Sequence, residues 1–155
     1  MKHLLLLTIV VGSVVIGSGT ARADADGRAA DAVSMGKYRW KNRVLLVFAG
    51  SDTDALYQRQ LRLLDGNAAD MDERDMVIGA FTDETGGVLG SIALSPKGVA
   101  ALRAEFDLAP GKFAALLIGK DGGVKLQRAE PVRADALFTL IDGMPMRQAE
   151  VRTKQ

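Results

Sequence analysis

Few side chains in this chain of 155 residues could do chemistry, because it carries one histidine, His3, and no cysteine. Thiolate nucleophiles, disulfides and Cys-ligated metals are excluded outright. Zinc and copper sites built on His and Cys go with them. What remains is carboxylate, Lys, Arg, Tyr, Ser and thioether chemistry. Asp72, Glu73 and Asp75 offer grouped carboxylates, as do Asp83 and Glu84. General acid–base work needs one such carboxyl desolvated, and both groups read more simply as a solvated lead-in to a strand and as loop polarity. Gly119-Lys120-Asp121-Gly122-Gly123 has the composition of a phosphate loop. It lacks the Gly-Lys-Ser/Thr ending and opens a strand rather than a helix, so a hairpin turn explains it better. Asp142 and Arg147 flank the Gly143–Pro145 turn and are spaced to pair across it. Met144 and Met146, with Met71 and Met76, are soft donors that Cu(I) would accept, although core filling is the usual employment of Met.

A denser cluster lies upstream. Lys37-Tyr38-Arg39-Trp40-Lys41-Asn42-Arg43 sets four basic residues and two aromatics in seven positions. Stacking aromatics beside cations can hold single-stranded nucleic acid. The plainer reading has Tyr38 and Trp40 sealing a sheet edge while the cations reach water.

The N-terminus decides between these. Met1-Lys2-His3 is a basic start, Leu4 to Ile16 is mostly apolar, and Ala21-Arg22-Ala23 is a small-residue cleavage site. That order predicts a signal peptide over 1–23, cleaved after Ala23, and a periplasmic or secreted protein. Its apolar run would span roughly 20 Å as a helix, short of the ~30 Å hydrocarbon core, so no stable membrane anchor is expected after cleavage. Lys2, Arg22 and His3 leave with it, which turns 20 basic against 19 acidic residues into 18 against 19 and removes the histidine. His-based acid–base and triad mechanisms then have no base, and a balanced charge argues against a nucleic-acid partner.

The elements that must position these residues follow from periodicity. Residues 24–36 are Ala/Asp-rich without an apolar period and read as a flexible leader. Continuous apolar runs over 43–49, 76–81 and 113–118 suit strands buried on both faces. Helical spacing follows Thr53 or Asp54, either of which can cap, and Ser95-Pro96, a cap with Pro at the first helical position. Thr82 to Gly90, with two central glycines, reads as a loop. Val124-Lys125-Leu126 is a hairpin partner, Ala134 to Ile141 a last helix, and residues 147–155 a polar tail that frays. The order β-α-β-α-β-β-α predicts an α/β, thioredoxin-like domain over 37–146, with a mixed central sheet of four to five strands flanked by helices.

Three segments carry a more specific signal: Tyr38-x-Trp40-Lys41-Asn42-Arg43, Leu117 to Leu126, and Leu137-Phe138-x-x-Ile141-Asp142-x-Met144-Pro145-Met146-Arg147. Together they resemble an exported bacterial family with a thioredoxin-like domain of unknown function, a domain shared with animal coiled-coil domain-containing protein eighty and the sushi-repeat-containing proteins. The resemblance implies that fold without an established activity. It marks Trp40, Arg43, Gly119, Lys120, Asp121, Gly122, Asp142, Met144, Pro145, Met146 and Arg147 as family positions of unknown role. Redox-active thioredoxins carry Cys-x-x-Cys between the first strand and the first helix. Here that stretch is Ala49-Gly50-Ser51-Asp52-Thr53-Asp54, so thiol–disulfide and peroxidase chemistry is excluded.

The expectation is therefore a non-catalytic binding or structural module, without cofactor or metal, that meets an unidentified macromolecular partner. The alternative is a carboxylate- or Lys-based enzyme, which requires at least two of Lys120, Asp121, Asp142 and Arg147 together in a pocket. Copper handling by Met144 and Met146 is a minor one.

Overall fold

Arg43–Ala49 (β1) is a run of large apolar and β-branched residues with no helical stripe, and all seven of its residues are buried. A strand covered on both faces needs two layers of helices. The computed structural model, which describes residues 28–154, supplies them. Met76–Thr82 (β2), Gly86–Leu89 (β3), Ile92–Leu94 (β4), Ala114–Ile118 (β5) and Val124–Arg128 (β6) join β1 in one six-stranded sheet ordered β4-β3-β2-β1-β5-β6. β1 and β2 are parallel, and the remaining pairs are antiparallel. The expected thioredoxin-like mixed sheet is present, with more strands than the four to five anticipated.

Among the described residues five α-helices flank it: Ala55–Leu64 (α1), Ala68–Glu73 (α2), Pro96–Glu105 (α3), Ala134–Asp142 (α4) and Pro145–Thr153 (α5). Asp54 caps α1 by accepting from the Leu56 and Tyr57 amides, and Ser95 caps α3 by accepting from Gly98. Strand side chains alternate between faces. Val44, Leu46 and Phe48 pack with Val99 and Leu102 of α3. Leu45 and Val47 pack with Tyr57, Leu64, Met71, Leu137 and Ile141 from α1, α2 and α4. Each such fully buried Leu, Ile or Phe contributes about 1.5–3 kcal/mol.

Three expectations are corrected. The Thr82–Gly90 loop is instead largely strand, because β3 opens with Gly86 and Gly87. Added Cβ atoms there would sit 2.1 Å from the Leu94 carbonyl oxygen and 2.0 Å from that of Ala80. Only glycines permit that approach, and their low strand propensity makes the segment read as loop. The segment from 147, expected as a polar tail, is helical through Thr153: Pro145 begins α5 and Arg147 is buried within it. Of the leader expected over 24–36, the described part is engaged. Ala30 bridges Leu94, and Val33 and Met35 pack on the core. The signal peptide expected over 1–23 lies outside the described residues. Among the described residues, no helix is long and apolar enough to cross a membrane.

Candidate functional site

β1 and β2 start, and the antiparallel β5 ends, at one edge of the fold, so Arg43, Asp75 and Gly119-Lys120 converge there. The turn from α4 into α5 closes the same edge. Ion pairing follows from that convergence. Lys120 Nζ lies 2.7 Å from Asp75 Oδ2 and 2.7 Å from Glu150 Oε1. Arg43 reaches the two Glu150 oxygens at 3.2 Å each and donates to the Arg74 carbonyl at 2.9 Å. Arg147 meets Asp142 at 3.2 Å, pairs with the Glu73 carboxylate, and donates to the Glu73 carbonyl at 3.0 Å. Arg74 forks onto Asp142 at 3.0 and 2.7 Å with its guanidinium over the Phe138 ring.

The cations are deep and the anions shallower: Arg43, Lys120 and Arg147 are 1%, 9% and 2% exposed. A buried cation would be prohibitive alone, so each is matched by carboxylates at the rim. The carboxylates answer in kind. The Arg74 and Arg147 guanidiniums hold Asp142 below the usual Asp range, against a smaller cost of burial. The Lys120 ammonium does the same for Asp75. Burial would raise Glu150, but hydrogen bonds from Lys120 and Arg43 win and lower it. A general acid or base working near neutral pH needs the opposite shift. The cluster is an electrostatic clasp that fixes α5 to the sheet.

The structure thus joins Arg43, Lys120, Asp142 and Arg147 of the family positions. Asp121 stands apart in the hairpin turn, bound to Lys125 at 2.6 Å and to the Gly123 amide at 3.0 Å. Gly119 and Gly122 close that turn through a backbone bond of 2.9 Å. Pro145 occupies the first turn of α5. Met144 packs half-buried on the core, Met71 and Met76 are buried in it, and Met146 lies exposed. Sequence reasoning missed Glu150, which it placed in a fraying tail, and Arg74. Glu73 and Asp75, read as a solvated lead-in, do keep exposed carboxylates, but these pair with Arg147 and Lys120. The Arg147/Glu150 spacing of one helical turn was the available signal. Among the described residues no three His, Cys, Asp or Glu side chains gather as a metal would require.

Beside the clasp is a different surface. Trp40 is 61% exposed and adopts a left-handed φ of 63°, with its amide bonded to the Lys120 carbonyl at 2.6 Å. Arg39 covers its ring at 5.2 Å. A groove of about 470 Å³ opens next to it, floored by Met35, Tyr38, Val44, Phe106 and Ile118 and walled by Arg39 and the Gly119–Gly123 turn. Tyr38 is raised above the ordinary phenol range by burial there.

At the opposite edge, where β1 ends, Arg103 pairs with Asp83 at 2.6 Å and donates to the Ala109 and Lys112 carbonyls at 2.9 Å each. Asp83 also accepts from the Gly111 amide at 2.6 Å, and Gly50 rests on Gly111 so closely that a Cβ would lie 3.2 Å from its oxygen. The place where a redox thioredoxin carries its cysteines is filled by these contacts.

Comparison with known proteins agrees with this architecture. Similar solved structures include thioredoxin peroxidase I of Plasmodium yoelii, with a TM-score of 0.55 and 21% identity over 76% of this chain and 80% of that one. The reduced 2-Cys peroxiredoxin of Plasmodium vivax gives 0.55 and 18% over 76% and 85%. At such identity the likeness is one of fold, and this chain has none of the cysteines that name implies. Coiled-coil domain-containing protein 80 of Danio rerio is 31% identical over 137 residues, which is 78% of this chain and 16% of that protein's length. Residues 34–150 match the domain of unknown function DUF4174, and the chain belongs to that family.

Proposed function

We propose that this chain is an exported, non-catalytic binding module whose ionic clasp is structural and whose outer lip at Trp40 meets a macromolecular partner. One observation carries the reading. Every carboxylate of the clasp with a displaced pKa is displaced downward, and every buried cation there is committed to a carboxylate. Carboxylates so displaced stay ionised and neither take nor give protons near neutrality. Of the residues the enzyme alternative required together, Asp142 and Arg147 lie within hydrogen-bond reach, as a paired charge, while Lys120 is joined to them only through Glu150. The cleavable leader expected over residues 1–23 supports export, and N-terminal sequencing of the mature protein should begin at Asp24.

A thermal-shift screen against metals, sugars, nucleotides and small acids tests the reading. A ligand at about 100 times its dissociation constant adds roughly 2.7 kcal/mol, several degrees for a domain of this size. The expected result is no shift. A shift, or any substrate turnover, that disappears in Lys120→Met or Asp142→Asn would replace the binding module with a small-molecule site.

A further inference from the structure

We infer that the Trp40 lip and its groove dock an extended acidic segment of a partner protein, a conclusion that rests on the binding-module reading and names its ligand. The sequence cluster at 37–43 divides sharply in the fold. Arg43 turns into the clasp and Tyr38 into the groove, leaving Lys37, Arg39, Trp40 and Lys41 on the surface. Among the described residues, no ion pair commits Lys37, Arg39 or Lys41 to a carboxylate. The interactions of the first two are with the Tyr38 and Trp40 rings at 5.1 and 5.2 Å. Uncompensated cations around an exposed aromatic, in a molecule that pairs its deeper charges so fully, are complementary to an anionic partner.

The lip is also built at a conformational cost. A bulky residue in the left-handed region is a genuine outlier. Trp40 is held there by its own amide to Lys120 and by the flanking Lys41 and Asn42 amides, both bonded to the Tyr38 carbonyl at 3.0 and 2.8 Å. Such strain at an exposed position argues for use rather than packing. Aromatic anchors beside Arg are the residues that dominate protein interfaces.

The groove supplies the remainder. Its floor is apolar, and on the turn side Gly122 and Gly123 leave room for a main chain, a Cβ at Gly122 coming no closer than 3.7 Å to Arg39. An extended segment would lay apolar side chains on the floor and carboxylates along Arg39 and Lys41. Two carboxylates line the groove, Glu105 and Asp121; Asp121 is engaged by Lys125 at 2.6 Å, so the segment's carboxylates belong over the unpaired Arg39 and Lys41.

Because Trp40 is the chain's single tryptophan, its emission reports this surface alone. The mature chain is titrated with end-capped peptide pools whose alternate positions are fixed as Glu, Gln or Lys, and with single-stranded oligothymidylate. The Glu pool should shift Trp40 emission to the blue, with an affinity that falls as salt is added. Labelled Glu peptides followed by anisotropy should bind about tenfold more weakly to the Arg39→Gln/Lys41→Gln double variant and about thirtyfold more weakly to Trp40→Gly. Trp40→Gly relieves the left-handed strain, so its melting point should stay within a few degrees of the parent's, which separates a docking role from a structural one. An equal or larger response to the Gln or Lys pools would overturn the acidic chemistry and leave the binding module standing. Tighter binding of oligothymidylate would overturn it in favour of nucleic acid. No response to any probe would remove both readings together.

Discussion

The two edges of the sheet solve the same electrostatic problem in opposite ways. Where β1 ends, one buried cation, Arg103, is matched by Asp83 and by two main-chain carbonyls. Where β1 begins, three buried cations meet carboxylates contributed by α2, α4, α5 and the turn before β2. The first arrangement links local turns; the second spans more than 100 residues, from Arg43 to Glu150. The second connects to the Trp40 surface, because the Lys120 that enters the clasp through its side chain also holds Trp40 through its carbonyl. In this chain one end of β1 is packed around a single paired cation, and the other carries the clasp beside a cationic lip.

Breaking each edge in turn should separate these roles. Arg43→Ala is expected to have the largest effect, about 3–5 kcal/mol in urea unfolding, since it removes one of Glu150's two buried cationic partners and the donor to the Arg74 carbonyl. It should also shift Trp40 emission, because α5 and the Lys120 turn lose a shared anchor. Arg103→Ala should cost about 3 kcal/mol through its lost carbonyl and carboxylate partners and its packing over Phe48. Trp40 emission should not move. Equal disturbance of Trp40 by both variants would erase the distinction between the edges.

How much of this was legible differs by region for physical reasons. The runs at 43–49 and 113–118 are buried on both faces, so hydropathy alone defines them. β3 depends on two glycines approached by other strands' backbones, a tertiary circumstance no local propensity records. The site was half legible. Arg43, Lys120, Asp142 and Arg147 stood out through the family motifs, and the Asp142–Arg147 pair followed from spacing. Glu150, Glu73, Arg74 and Asp75 looked like surface charge because their partners lie 31 to 107 residues away along the chain. Sequence shows a charge but not what it faces.

Acid provides a milder probe of the same contrast. Asp75, Asp142 and Glu150 have folded values below their ordinary 3.8, 3.8 and 4.5. The folded state therefore holds fewer protons than the unfolded chain through that range. The stability these groups contribute is complete above their unfolded values and is lost as pH falls through their folded ones. Melting points should be level from neutrality to about pH 5 and decline below it. Lys120→Met removes the main cause of the Asp75 shift and one cause at Glu150, so its acid decline should be shallower, starting from a lower plateau. A parallel decline in parent and variant would show that the clasp does not set the acid limit.

The smallest effect should come from the methionines. Met146 sits 38% exposed on the first turn of α5, outside the clasp, and Met144 packs on the core instead of facing it. Met146→Leu exchanges one apolar side chain for another of similar volume and should change stability by less than about 0.5 kcal/mol. If thioethers gathered Cu(I) at this turn, Met144→Leu and Met146→Leu together would weaken Cu(I) binding sharply while leaving the fold intact. Equal Cu(I) titrations of parent and double variant are expected, since two thioethers directed to different environments cannot close around one ion. A clear loss in the variant would move the functional edge from the Trp40 lip to the α4–α5 turn.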